Sequence, residues 1–277
     1  MGILDGKIAF ITGAARGQGR SHAIGLAAQG ADIIAVDLCN QVDTVAYPMA
    51  TKDDLAETVR AVEALDRRIL AVEGDVRDLA TLKNLVTDGV AEFGGLDIVL
   101  ANAGIMPTVG ERADDDEAFY DAVDIMLTGV WHTLRACVPP LIERGSGSIV
   151  ITSSTVGLVG AHTPNEAGSA GYAAAKHGVV GLMRVYANML AKHDIRVNTV
   201  HPTGVNSPMI VNQTVEAAFS TFAAEMPGFG AMMQNLLPVQ VVEPEDVTNA
   251  ILWLVSDAAR YVTGIALPVD AGFTVRA

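Results

Sequence analysis

In the stretch GYAAAKHGVVGL, residues 171–182, Tyr172 and Lys176 stand four positions apart. On a helix that spacing puts a phenol and an ammonium on one face, one turn apart. A phenol has a reference pKa near 10 and is a poor base at neutral pH, but a neighbouring cation favours the phenolate and lowers that value. Upstream, IVITSS closes on Ser153 and Ser154, where a hydroxyl could hold a carbonyl or alcohol oxygen while the tyrosine exchanges a proton with it. In isolation such a pair is ordinarily a helix-surface contact. Behind a nucleotide-binding first half it reads as acid/base machinery.

The first half carries that signature. TGAARGQG places Gly13, Gly17 and Gly19 between a β-branched run and the helical pattern RSHAIGLAAQG. Glycines there permit a tight turn and let the backbone approach a pyrophosphate, which sits on the positive end of the following helix. Asp37 ends ADIIAVD at the distance expected of the acid that accepts hydrogen bonds from the adenosine ribose hydroxyls. A carboxylate there repels a 2′-phosphate and selects NAD over NADP. Arg16 pulls the other way, since guanidinium suits phosphate, but no basic residue follows Asp37 until Lys52. NAD is the expected cofactor, and no metal site is expected. GDVRD puts Asp75 and Val76 at the end of a third strand, and ANAG puts Asn102 and Gly104 at the end of a fourth, the edge that faces the ligand crevice in doubly wound sheets. Each alone is more often a turn residue than a contact.

These residues need a scaffold to converge. KIAFIT, ADIIAVD, RILAVEGD, LDIVLANAG, GSIVITSS and IRVNTVHP read as strands, each followed by helical pattern, over about 17–30, 53–66, 79–93, 115–143, 172–192 and 244–257. This alternation predicts an α/β fold, a doubly wound parallel sheet with helices on both faces. With no repeat or linker, residues 1–277 are expected to form one domain. Two long connections interrupt the pattern: 38–53, after the ribose acid, and 206–242, rich in Met and Phe. Long excursions in a compact domain are usually functional. The first is placed to fold over the cofactor; the second is expected to be an adaptable lid over a hydrophobic substrate.

Composition narrows the partners. Acidic residues outnumber basic ones 32 to 18, a formal net charge of −14 with no basic run, which argues against nucleic acid. No apolar run reaches the length of a membrane span, the start MGILDGKIAF has no signal-peptide pattern, and Gly6 breaks the myristoylation motif. Two cysteines, Cys39 and Cys137, make no disulfide framework, so a reducing cytoplasm is the expected compartment.

In their order along the chain, TGAARGQG, ANAG, the serine of IVITSS, YAAAK and HPTGVNSPM resemble the short-chain dehydrogenases/reductases over nearly the whole length. GAARGQGRSHA, the long loop after VD, and GVVGLM are most similar to the actinobacterial carveol dehydrogenase-like group, often described as mycofactocin-coupled. The resemblance implies a Rossmann fold and hydride transfer between NAD and a hydrophobic secondary alcohol or its ketone, terpenoid or steroid-like. Ser154 would orient the substrate oxygen, Tyr172 would be the acid/base, and Lys176 would lower the tyrosine pKa and bind the nicotinamide ribose. Val205 and Ser207 would hold the carboxamide. Gln18, Leu38, Ala103, Pro202 and Met209 complete the implied cofactor contacts. The group further implies a homotetramer, tightly held NAD and an external redox carrier.

Two departures stand out. Met126 occupies the position of a family asparagine that helps hold a water relay to the lysine, and methionine cannot hydrogen-bond as an amide does. That substitution favours a rival expectation, an NAD-binding sensor or storage protein with little turnover. The interval from Ser154 to Tyr172 is eighteen positions, longer than is common in the family. The extra residues, within GAHTPNEAGSAG, are expected to bulge at the mouth of the site, with His162 as a solvated loop residue.

Overall fold

The computed structural model describes residues 2–276. The six expected strands form as β1 (Ile8–Thr12), β2 (Asp32–Asp37), β3 (Ile69–Glu73), β4 (Ile98–Ala101), β5 (Gly147–Thr152) and β6 (Ile195–Pro202), and β7 (Ala266–Val269) joins them. The order is β3-β2-β1-β4-β5-β6-β7 with every neighbour parallel. The sequence reading missed β7 because ALPV is short and carries Pro268, which an edge strand tolerates. The order reverses between β1 and β4, and the crevice at such a switch point is where these sheets bind ligands.

Side chains alternate across the sheet. Phe10, Ile34 and Val36 pack with Leu82, Leu134 and Val179 on one side, while Ile11, Ile33 and Ala35 pack with Leu26 and Ile251 on the other. The first set is covered by α3 (Leu79–Phe93), α5 (Gly129–Arg144) and α6 (Glu166–Leu190), and the second by α1 (Gly17–Ala28) and α9 (Pro244–Val255). Local chemistry sets the helix starts. Asp78 accepts from Ala80 and Thr81 N–H at α3, Pro244 opens α9, and Thr51 and Asp54 form a reciprocal box at α2 (Lys52–Glu63). Among the described residues no helix is long and apolar enough to cross a membrane.

Three segments depart from expectation. The helix expected over 115–143 is divided into α4 (Asp116–Val123), a π-helical turn over Asp124–Thr128 that contains Met126, and α5. π turns of this kind are frequent at functional sites. The extra residues before Tyr172 do not simply bulge, because Glu166–Gly171 extend α6 toward its N-terminus. That extension docks on the loop 107–113, where Asn165 Nδ2 donates to the Thr108 carbonyl at 2.9 Å and Gly168 N–H to the Ala113 carbonyl at 2.9 Å. The connection 206–242 carries two helices, α7 (Gln213–Glu225), capped by the Asn212 side chain, and α8 (Phe229–Met232).

Candidate active site

A groove runs across the switch point above the C-terminal ends of β1, β2 and β4. Gly13 turns at φ +67°, and a Cβ there would lie 2.8 Å from Ala103 Cα, so only glycine brings these two strand ends together. Gly13, Arg16, Gly17, Gln18 and Gly19 line the groove, with Asp37, Leu38, Asp75, Val76, Asn102, Ala103, Gly104, Ser207 and Met209 around it. Gln18 Oε1 is buried and no group among the described residues satisfies it, an orphaned acceptor in the loop expected to cradle a diphosphate. Asp37 receives Ala15 N–H at 2.9 Å and Cys39 N–H at 3.2 Å. Burial raises its pKa while those bonds and Arg16 pull it back down. These residues fit an NAD adenosine: an acid for the ribose hydroxyls and helix N–H groups beside them.

Several expected contacts have other partners. Arg16 donates to the Pro48 carbonyl at 2.6 Å, clamping the connection 38–53 to the glycine loop. Asp75 is engaged by Arg77 at 2.7 Å. The Asn102 amide braces the scaffold, donating to the Thr12 and Gly13 carbonyls and accepting from Thr152 Oγ1 at 3.2 Å. Pro202 and Val205 lie outside the groove lining, and Val205 is buried in a bridge to Val242.

At the far end of the groove, Tyr172 and Lys176 come from the second and third turns of α6 and face the end of β5. The Tyr172 phenol lies beside Ser154, whose hydroxyl pulls its pKa down, but burial outweighs that pull and raises it. Lys176 Nζ donates to the Thr152 carbonyl at 2.9 Å and lies 5.7 Å from the centre of the Tyr172 ring. Burial lowers its pKa to about 8. Lowering of the tyrosine pKa, which the resemblance implies, is therefore not produced by these protein groups alone. Ser153 and Ser154 divide the work. Ser153 Oγ ties to the Lys176 carbonyl at 2.9 Å, leaving Ser154 beside Tyr172. His201, missed from the sequence, steadies Ser154. Its Nδ1–H donates to the Ser154 carbonyl at 2.8 Å, and Nε2 accepts from Thr199 Oγ1 at 2.8 Å, a tautomer dictated by a carbonyl that can only accept.

Met126 is 1% exposed, and its sulfur comes to the same face of Gly104 as Lys176 Nζ. On the other side of Tyr172 opens a cavity of about 310 Å³, whose wall includes Met106, Ser154, Ile210, Phe219, Met233 and Phe273. His162, expected to be a solvated loop residue, also lines it. The Met and Phe residues of 206–242 divide. Phe219 and Met233 face the cavity, Met209 the groove, and Phe222 and Phe229 are buried with ring centres 5.6 Å apart. Tyr47, Met49 and Ile105 also line the groove. Only the position of Tyr47 in a long loop after the ribose acid could have signalled its part.

A family model described as enoyl-(acyl carrier protein) reductase matches residues 13–274. A putative short-chain type dehydrogenase/reductase of Mycolicibacterium smegmatis is 50% identical over 98% of each chain. The (−)-trans-carveol dehydrogenase of Rhodococcus erythropolis is 48% identical over the full length of both chains. The crystal structure of carveol dehydrogenase from Mycobacterium avium in complex with NAD superposes with a TM-score of 0.91 at 47% identity, covering both chains completely.

Proposed function

Because this chain belongs to the short-chain dehydrogenase/reductase family and is an NAD-dependent oxidoreductase of that type, we propose that it interconverts a hydrophobic cyclic secondary alcohol and its ketone. One observation carries the reading: Tyr172 lines both the cofactor groove and the apolar cavity, and Ser154 lines that cavity beside it. An alcohol oxygen held by Ser154 lies where Tyr172 can take its proton, and the carbinol carbon then faces the groove. NAD supplies the ring that accepts or returns the hydride. Lys176 is placed to hold the nicotinamide ribose, while Ser207 and the Val205 N–H are the groups we assign to its carboxamide.

The cavity volume bears on the substrate. About 310 Å³ sits at the lower end of the roughly 300–1,000 Å³ usual for ligand pockets, which favours a compact terpenoid ring over a steroid. The segment 206–242 contributes Ile210, Phe219, Met233, Gln240 and Val241 to that wall, as a lid would. Relatives named for carveol dehydrogenase support the same class. The reading of a sensor or store with little turnover rests on Met126 and draws no support from these relatives.

We further assign tight NAD retention to the segment 38–51, which closes one side of the groove and is clamped by Arg16. Exposed Trp131, Val185 and Met189 on α5 and α6 support association into a homotetramer through these helices. An external redox carrier in a cytoplasmic setting would then reoxidise the bound cofactor. Carveol, cyclohexanol and a steroid alcohol, each assayed with free NAD and with an artificial electron acceptor, test the proposal. Turnover of carveol with the artificial acceptor, and nucleotide released on denaturing the purified protein, are expected. Cofactor-free protein that works equally well with added NAD leaves an exchanging dehydrogenase, and no oxidation of any alcohol refutes the substrate class.

A further inference from the structure

We infer that Tyr47 is a positioning residue that couples cofactor binding to the shape of the alcohol cavity. The inference rests on the NAD reading above. The segment 38–51 has neither helix nor strand, yet it is built as a rigid strap. The Gln41 side-chain amide donates to the carbonyls of Val42, Val45 and Tyr47 and accepts from Met49 N–H at 3.1 Å. Three bonds then tie the strap outward. Arg16 reaches the Pro48 carbonyl at 2.6 Å, Thr44 Oγ1 donates to Asp121 at 2.7 Å, and the Tyr47 hydroxyl accepts from Met106 N–H at 3.0 Å. Ala46 presses on Gly110, which holds φ +100° and has no room for a Cβ. The strap and the loop after β4 are thus packed face to face.

That loop crosses from one site to the other. Asn102, Ala103, Gly104 and Ile105 line the cofactor groove, and Met106 lines the alcohol cavity with Ser154 and Tyr172. Tyr47, 2% exposed, props the loop where it crosses. Its ring lines the groove and its oxygen holds the backbone of the cavity wall. Burial pushes the phenol pKa well above its usual value, so the group stays neutral across the working range. A cofactor that fixes the strap therefore fixes Met106, and the alcohol then meets a preformed wall. Linkage makes the effect reciprocal: bound alcohol raises the affinity for the cofactor by the same factor that cofactor raises the affinity for the alcohol.

Amide hydrogen exchange resolved at Met106, with and without saturating NAD, reads this directly without turnover. In the wild-type protein NAD should slow exchange both in the glycine loop 13–19 and at Met106. In Tyr47→Phe, which deletes only the acceptor, glycine-loop protection should persist. NAD-dependent protection at Met106 should fall by about tenfold, on the scale of leaving a buried N–H unpaired. The alcohol KM should rise in parallel. Placing Tyr47→Phe in a Met106→Ala background should add little to that KM, because coupled residues are non-additive. Undiminished NAD-dependent protection at Met106 in Tyr47→Phe, or full additivity of the two KM effects, overturns the inference. Failure of NAD to protect even the wild-type glycine loop would instead refute the cofactor reading on which it rests. Should Tyr47→Phe not fold, the near-isosteric Thr44→Val loosens the same strap at Asp121. It should also diminish the Met106 protection, and unchanged protection there counts against the coupling.

Discussion

The ammonium of Lys176 donates to the carbonyl of Thr152, the last residue of β5, at 2.9 Å, inside a site that burial keeps dry enough to lower the lysine pKa to about 8. The unfolded chain holds its proton up to the ordinary lysine pKa of 10.5, so between about 8 and that value the unfolded state binds more protons than the folded one. Stability should therefore rise with pH across that window, as the cost of the buried cation is relieved. That relief is on the order of 3 kcal/mol from one fully buried group. Denaturant titrations of cofactor-stripped wild type and Lys176→Met at pH 7.5 and 10 check it: the gap between the two proteins should shift toward the wild type at the higher pH. A constant gap would show that Lys176 is not held in a depressed state.

Replacing Tyr172 by Phe removes the hydroxyl to which we assign proton transfer and keeps the ring that lines the groove. The kcat should fall by about 10²- to 10⁴-fold, the usual share of general acid/base catalysis. NAD binding, followed by calorimetry, should change little. Full activity in this variant would refute the mechanism.

Asp37 is the residue to which we assign the choice of NAD over NADP. Asp37→Ser removes the charge facing a 2′-phosphate while its backbone donors, Ala15 and Cys39 N–H, can still meet a hydroxyl. The ratio of NADPH to NADH affinity should rise by about tenfold, the effect of ~1.4 kcal/mol. A wild-type protein that already prefers NADPH contradicts this account of Asp37.

Met126→Asn introduces an amide into a packed position beside Gly104 and Lys176. Melting should show a loss of about 1–3 kcal/mol if the amide finds no partner, while turnover stays level or increases. Markedly slower turnover in a well-folded Met126→Asn protein means that no water relay runs through this position.

Shortening residues 40–50 to a brief glycine-containing turn removes Tyr47 and the Arg16 clamp together. Faster NAD release, measured by stopped-flow dilution, is the expected outcome, because affinity differences are expressed mostly in the off-rate. Equal release from both proteins would leave retention to the groove alone.

The sequence by itself determined the parts that local rules govern. Strand periodicity placed β1 to β6, and the glycines of TGAARGQG with Asp37 identified a groove that depends on a tight turn and a strand-end acid. The four-residue spacing of Tyr172 and Lys176 put them on one helix face, and α6 keeps that register. Only the tertiary structure decided what the long-range partners settle. Ser153 and Ser154 are equivalent as letters, and the Lys176 carbonyl separates them. Asn102 lines the groove where the motif places it, but that its amide also braces the ends of β1 and β5 is set by the packing of the strands. The Ser154–Tyr172 interval became helix because Asn165 and Gly168 found acceptors on the loop 107–113. Tyr47 has no motif around it, since its part depends on Met106, 59 positions away, and no periodicity of the chain encodes a contact of that separation.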